Sequence, residues 1–209
     1  MKFDMHVHTH YSHCSNLDPA KLPGYAKEAG LSGFAVTDHN TVKAFKGLKT
    51  DLIIIPGIEV STADGHLVGL FVTKAISPGL PAPETADLIR DEGGLVVAPH
   101  PCDRMRKHLK NVLETKPDFI ETFNSRVVLG SDNKRAEKLA DKNGIKKIAG
   151  SDAHFKSEVG NAGIMADAST VEGLRNVLEK GDYTLFGKSS SPTVHVRSTL
   201  RMIGKRYDG

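Results

Sequence analysis

The 209-residue chain has little of what marks secreted or membrane proteins. It contains two cysteines, Cys14 and Cys102, which are too few for a disulfide scaffold. It contains no run of about eighteen apolar residues, so no transmembrane helix is expected. Its opening, MKFDMHVH, is typical of a strand that carries charges rather than of a secretory leader. We therefore expect no membrane contact and a cytoplasmic location.

The excess of positive charge is also small, and it lies at one end of the chain. The formal net charge is +3. From Gly187 onward the balance is +4, which leaves about −1 for the rest; the charged residues of this stretch are Lys188, Arg197, Arg201, Lys205, Arg206 and Asp208. We interpret the tail from about residue 187 as a solvated terminus, with a contact to nucleic acid or phosphate as the alternative.

Short apolar runs recur along the chain and predict strands. A further apolar run, DLIIIPGIEVS, precedes a segment, HLVGLFV, that could pair beside it. No low-complexity linker divides the sequence, so we expect one domain over residues 1–209. The clearest strands are predicted at residues 3–8, 33–39, 95–100, 119–124 and 147–154.

Helix signals lie between these runs. One helix is predicted to be capped by Asp18, with Pro19 at its first position, and to end at Gly30. Another is predicted to be capped by Ser131 or Asp132 and to end at Gly144. The stretches PETADLIRDEGG and TVEGLRNVLEKG predict two more. Alternating strands and helices predict an α/β fold with a parallel sheet, either a closed or nearly closed barrel or an open, doubly wound sheet.

The sequence is rich in histidine, and the histidines follow the predicted strands. There are ten in all. Asp38, Glu59 and Asp152 accompany them. In a parallel barrel the loops after the strands meet at one edge, so residues distant in sequence converge there. Seven histidines lie at strand ends or directly after them, namely His6, His8, His13, His39, His66, His100 and His154.

Such a set favours a metal centre over an ordinary core. His6 and His8 are two residues apart on a strand and point to the same face, and Asp152 and His154 repeat the spacing. Many buried neutral imidazoles would each need a hydrogen-bond partner, and charged imidazoles would repel each other. Imidazoles interleaved with carboxylates are the ligands of divalent transition metals.

Six motifs, in order, resemble those of the PHP (polymerase and histidinol phosphatase) superfamily. They are HVHTHYSH, TDHNT, GIEVS, HLVGL, APHP and GSDAH, and they span residues 6–154. The resemblance implies a distorted (β/α)₇ barrel of the PHP type that holds two or three divalent transition-metal ions, with zinc, manganese and iron all suitable.

The resemblance also implies a ligand set. His6 and His8 would hold the first metal with Asp152, and Glu59 would bridge it to the second. His66 and His100 would complete the second site. The third would be held by His13, His39 and His154, although many family members have aspartate where His13 stands. Glu59, Asp152 and His154 are the expected catalytic residues.

Three metal ions suit the charge of a phosphate ester better than a neutral amide. The stretch PCDRMRKHLK after His100 and the later Arg126 supply guanidinium groups that match phosphate. We expect Arg104 and Arg126 to bind the substrate phosphate and Asn124 to orient substrate or a metal-bound water. Lys107 and Lys110 are assigned to a solvated face.

The remaining candidates are given no ligand role. His10 is expected to be a non-ligand residue, and His108 and His195 are expected at the surface. Cys14 and Cys102 follow metal-site histidines closely, but all ligand positions are already filled, so free thiols are expected.

Three functions stay open. The favoured one is a metal-dependent phosphoesterase that acts on a small phosphorylated molecule or a nucleotide. The second is a PHP-type exonuclease on nucleic-acid ends, which shares the ligands. The third is a non-catalytic RNA-binding subunit that resembles the protein component of RNase P, for which loss of ligands would be the mark. Substrate identity and oligomeric state are not predicted.

Overall fold

Nine strands form one sheet in the computed structural model of the protein, which describes residues 1–198. Their order in the sheet is β7-β6-β5-β4-β3-β2-β1-β8-β9. The strands are β1 (Lys2–Val7), β2 (Gly33–Val36), β3 (Ile53–Ser61), β4 (His66–Leu70), β5 (Leu95–Ala98), β6 (Phe119–Asn124), β7 (Lys146–Gly150), β8 (Ala162–Ala166) and β9 (Tyr183–Gly187).

The segment after β7 returns to β1 and nearly closes the sheet into a barrel. Val7 and Ala153 form a parallel bridge, and the His8 amide donates to the Ala153 carbonyl over 2.9 Å. The two strands approach closely because Gly150 has no side chain: a Cβ there would lie 2.4 Å from the Cβ of His6. The predicted barrel is thus confirmed, and the open sheet is excluded.

One strand of the barrel runs against the others, which the sequence did not predict. β1, β2 and β3 are parallel to each other, as are β5, β6 and β7. β4 is antiparallel to both of its neighbours. The reason is the link 62–65 between β3 and β4, which is long enough for a hairpin but too short for a crossover between parallel strands. β8 and β9 extend the sheet in antiparallel fashion beyond β1.

The helices follow the predicted order, but two predicted starts are wrong. The first helix begins at Leu22, because Asp18 uses its carboxylate on the Ala20 amide in a preceding turn. The helix before Gly144 begins at Gly130 without a side-chain cap, and Asp132 binds Arg104 instead. The helices are α1 (Leu22–Glu28), α2 (Lys43–Gly47), α3 (Ala82–Asp91), α4 (Gly130–Asn143) and α5 (Val171–Lys180), with 3₁₀ turns at Val112–Thr115 and Lys156–Glu158.

Apolar residues of the strands pack against the helices. Ile89 of α3 and Leu174 of α5 are fully buried in this layer. None of the helices within residues 1–198 combines the length and the apolar character that a bilayer span requires. Of the predicted basic tail, residues 201, 205 and 206 lie outside the described residues.

Candidate metal centre

The first strand carries two histidines into the barrel. Residues of a strand alternate between its faces, so His6 and His8 share the inner one. Both are buried, and their Nε2 atoms lie 3.0 Å apart.

Hydrogen bonds at the other ring nitrogens fix the orientation of both rings. His6 donates Nδ1–H to the Glu121 carboxylate over 3.0 Å. His8 Nδ1 lies 3.2 Å from the Ser12 hydroxyl, which itself donates to Asp38 and therefore accepts from His8. The two Nε2 atoms then face each other across 3.0 Å. Burial acts to lower the pKa of both rings, but the carboxylates around them, chiefly Glu121 for His6 and Asp152 for His8, raise it, so a positive charge is favoured between the two Nε2 atoms. A metal ion would supply that charge in place of a proton, so the residues fit a metal ion.

Glu59 lies at the middle of the cluster. Its Oε2 atom is 3.2 Å from His8 Nε2 and 3.2 Å from His39 Nδ1. Its Oε1 atom is 3.2 Å from His66 Nδ1 and 3.4 Å from His100 Nε2. The two oxygens thus face different sets of imidazoles, which is the arrangement that a bridging carboxylate requires.

Potential ligand atoms within residues 1–198 form three overlapping groups. In each group the atoms lie within 4.8 Å of one another. Glu59 is shared by two groups, and so is His8. The groups are His6, His8 and Glu59; Glu59, His66 and His100; and His8, His39 and His154.

At His39 and Glu59, burial and charge favour the protonation states that bind metals. Burial lowers the pKa of His39 to about 3, which keeps its ring neutral. Burial acts to raise the pKa of Glu59, but His39 and His66 beside it hold that pKa well below its usual range. His39 Nδ1 and His66 Nδ1 are buried without a hydrogen-bond partner among residues 1–198. Neutral imidazoles and an ionised carboxylate are ligand forms.

Asp152 and His154 enter the cluster from the loop after β7. Asp152 has a left-handed backbone, with φ of 55°. Its Oδ1 atom is 3.3 Å from His8 Nε2, and its Oδ2 atom accepts from Arg106 over 2.5 Å. His154 donates Nδ1–H to the Asp152 carbonyl over 2.8 Å, so its Nε2 atom carries the lone pair.

The structure leaves His13 at the rim of the cluster. Its side chain is exposed, and its ring centroid is 6.2 Å from that of His39. Cys14 lies deeper, with Sγ 3.1 Å from His154 Nε2. Burial is the main cause that raises the pKa of this thiol to about 12. Cys102 is a free, partly buried thiol, and it packs beside the core.

Sequence reasoning missed two residues that support the ligands. Glu121 on β6 accepts from His6 Nδ1 and, over 2.9 Å, from the His100 amide. Arg106 donates to Asp152 and, over 2.6 Å, to Asp103. A carboxylate inside the apolar strand FIETFN was the available signal for Glu121. For Arg106 the sequence offered only one of several basic residues in its stretch.

A cavity of about 640 Å³ opens over the cluster. Arg106, Lys107 and Arg126 bring positive charge to its wall, and His195 also lines it, contrary to the surface position predicted for that residue. Arg104 does not line this cavity. Its exposed side chain pairs with Asp132, with 3.0 Å between Nε and Oδ1.

Arg126 is the buried arginine of the cavity wall. Its side chain is 3% exposed, and its Nη2 donates to Ser198 Oγ over 2.8 Å. Nε lies 3.6 Å from a Glu158 oxygen, beyond hydrogen-bonding distance. Neither Nε nor Nη1 has a hydrogen-bond partner within residues 1–198. The Nε and Nη1 donors of the buried Arg126 guanidinium are therefore available to bind an anion.

Asn124 lies behind the cluster rather than on the cavity wall. Its amide donates to Glu121 over 2.8 Å and to Asp152 over 3.2 Å, and its oxygen accepts from the Arg126 amide over 3.0 Å. The residue is fully buried. Asn124 thus connects the carboxylates of Glu121 and Asp152 to the loop that carries Arg126.

A family model described as PHP-associated matches residues 130–183. The uncharacterized protein MJ0417 of Methanocaldococcus jannaschii is 36% identical over 180 residues, which is 82% of this chain and 73% of that protein.

Several solved structures share the fold at low sequence identity. PsfC of Pseudomonas syringae has a TM-score of 0.69 and 17% identity, with 98% of both chains covered. A candidate metal-dependent phosphoesterase of Bifidobacterium adolescentis has a TM-score of 0.58 and 17% identity, with 84% of this chain and 95% of that one covered. The lesion-specific endonuclease PfuEndoQ of Pyrococcus furiosus has a TM-score of 0.66 and 16% identity, with 91% of this chain and 59% of that one covered.

Proposed function

The chain belongs to the PHP (polymerase and histidinol phosphatase) superfamily, and on this premise we propose that it is a metal-dependent phosphoesterase that hydrolyses a phosphate ester of a small molecule or nucleotide. The observation that carries the proposal is the shared carboxylate of Glu59, which faces one set of imidazoles with each oxygen. Around it, the ligand positions that the family resemblance implies are all filled by residues able to bind metal.

The ligand set supports two or three divalent transition-metal ions. His6, His8, Asp152 and Glu59 would hold the first, and Glu59 with His66 and His100 would hold the second. His39 and His154 would hold a third, with His8 nearer to them than His13. Such ions, when bound, supply a water acidified enough to act as a nucleophile and offset the charge of the phosphoryl group.

The chain's own residues set the geometry of that chemistry. Glu121 holds the His6 ring and Ser12 holds the His8 ring, so both Nε2 atoms point at one place. Arg106 takes one oxygen of Asp152 and leaves the other toward His8. Hydrogen bonds of this kind fix the orientation of the ligand side chains.

Arg126 is our candidate for the residue that binds the substrate phosphate. Its Nε and Nη1 are buried and have no hydrogen-bond partner within residues 1–198, so an arriving anion could bond to both. Arg104 is held by Asp132 outside the cavity, and Arg106 already uses all three of its nitrogens on Asp103, Asp152 and Asn124. Of the two arginines that the sequence favoured, we therefore retain Arg126.

Purification without chelators followed by elemental analysis and a substrate panel tests the proposal. We expect two or three equivalents of zinc, manganese or iron per chain, and turnover of at least one phosphomonoester once that metal is restored. Less than one equivalent under metal-replete conditions would refute the metal centre. Full metal content without turnover of any phosphate ester would refute the phosphoesterase.

The same panel includes 5′-phosphorylated oligonucleotides, because the fold is shared with an endonuclease. A nuclease would cleave or shorten them faster than it hydrolyses mononucleotides. An RNA-binding subunit would retain RNA without turnover. The intact ligand set favours catalysis over that last function.

A further inference from the structure

The segment that follows β9 folds back onto the barrel and reaches the cavity. We call residues 188–198 the C-terminal arm. The Lys188 amide donates to the Asn161 carbonyl over 2.8 Å, and the Ser190 amide donates to the Ser125 carbonyl over 2.7 Å. These bonds place the arm beside the loop that carries Arg126.

Two residues farther along the arm contact Arg126 itself. His195 donates Nε2–H to the Arg126 carbonyl over 2.8 Å. Ser198 is buried, and its hydroxyl accepts from Arg126 Nη2 over 2.8 Å. The arm thus binds both the backbone and the side chain of the arginine. Glu158, the one carboxylate beside that guanidinium among the described residues, lies 3.6 Å away at the closest pair of atoms.

The arm also forms part of the cavity wall. Pro192, His195 and Ser198 line the cavity together with the metal-site histidines. Arg197 packs its guanidinium over the Phe155 ring at 4.8 Å, and Val194 is buried, so the arm is anchored outside the cavity as well. A guanidinium has five N–H donors in one rigid plane, so fixing Nη2 also fixes the direction of the other donors.

We propose that the C-terminal arm is a built-in part of the substrate site, in which Ser198 is a positioning residue that aims Arg126 at the substrate phosphate. This inference rests on the proposed function in taking a phosphate group as the ligand. The arm lies outside the motif region at residues 6–154. In this proposal, phosphate binding depends on the folding of residues 188–198 against the barrel.

The test compares Ser198→Ala with Thr193→Ala in the metal-loaded protein, with inorganic phosphate as the probe in calorimetry. Thr193 lies on the arm's exposed side and bonds Ser191 rather than Arg126. Loss of a hydrogen bond to a charged group predicts a dissociation constant about tenfold higher for Ser198→Ala. Thr193→Ala should bind phosphate as the wild type does. Ser198→Thr, which keeps the hydroxyl, should restore binding.

A double variant separates positioning from a general structural effect. Arg126→Met removes Nη2, so adding Ser198→Ala to it should weaken phosphate binding no further. Metal content should be unchanged in every variant. Equal phosphate binding by Ser198→Ala and Thr193→Ala, or an undiminished Ser198→Ala effect in the Arg126→Met background, would overturn the proposal. So would a wild type that binds no phosphate.

Kinetics with a phosphomonoester keep this outcome distinct from the proposed function. If the wild type turns one over, Ser198→Ala should raise KM with little change in kcat. If it turns none over, the phosphoesterase assignment fails, and the phosphate-binding comparison still decides the role of the arm.

Discussion

Replacing Glu59 by glutamine tests the metal centre most directly. Glu59→Gln keeps the size and shape of the side chain and removes its charge. The carboxylate is buried and lies within 3.2–3.4 Å of nitrogens from four histidines. The substitution therefore removes one negative charge from the site of at least two proposed cations.

The electrostatic loss can be gauged from Coulomb's law. Two unit charges about 4 Å apart interact by about 4 kcal/mol at an effective dielectric constant of about 20. Since each 1.4 kcal/mol is about a factor of ten, the affinity for a cation should fall on the order of a thousandfold. A dication would lose more. We expect Glu59→Gln to retain at least one metal equivalent fewer than the wild type.

The assay is metal titration of chelator-treated protein by calorimetry, followed by elemental analysis after gel filtration. Asp132→Asn is the matched control, because Asp132 is equally buried but pairs with Arg104 outside the cluster. It should lower the melting temperature and leave the metal content unchanged. His39→Ala, which lies in one ligand group, should reduce activity no more than Glu59→Gln does. Wild-type stoichiometry and affinity in Glu59→Gln would refute the bridging role.

Three further predictions follow from the surroundings of the cluster. Glu121→Gln removes the carboxylate that accepts from His6 and should weaken metal binding roughly 10–100-fold, measured by competition with a chelator. Unchanged affinity would contradict the supporting role. Arg126→Ala should lower kcat/KM roughly 10–100-fold at unchanged metal content. Arg104→Ala should lower kcat/KM less than twofold, because Arg104 pairs with Asp132 outside the cavity. The reverse ranking would indicate that Arg104, and not Arg126, binds the substrate phosphate. Metal removal should lower the melting temperature by roughly 5–10 °C for each ion in scanning calorimetry, as expected when the free metal concentration is about a hundred times the dissociation constant. An unchanged transition would count against bound ions.

The sequence predicted the fold class and the histidine cluster because both depend on local patterns. Strand periodicity and helix stop signals place the elements, and Gly144 ends its helix as predicted, in the left-handed conformation with φ of 64°. The spacing of His6 and His8 on one strand settles that their side chains share a face. The roles of the individual ligand residues remain predictions, although the structure brings most of them together.

Local patterns in the sequence did not predict the contacts between distant segments. The pairing of Arg104 with Asp132 cannot be read from a local pattern, because it depends on where another segment lies. Among several basic residues with equal local signals, only the packing selects Arg106 for Asp152 and Arg126 for the cavity.

The chain's residue types and their periodicity thus determined an α/β fold with imidazoles and carboxylates at its strand ends, whereas the choice of a barrel rested on the family resemblance. The tertiary structure alone decided which nitrogen of each imidazole faces the cluster, since that depends on partners such as Glu121 for His6. It also placed Ser198 of the C-terminal arm against Arg126, although the two residues are 72 positions apart in the sequence. Local propensity fixes what an element is, whereas the donors and acceptors that meet across the barrel fix what its side chains can bind.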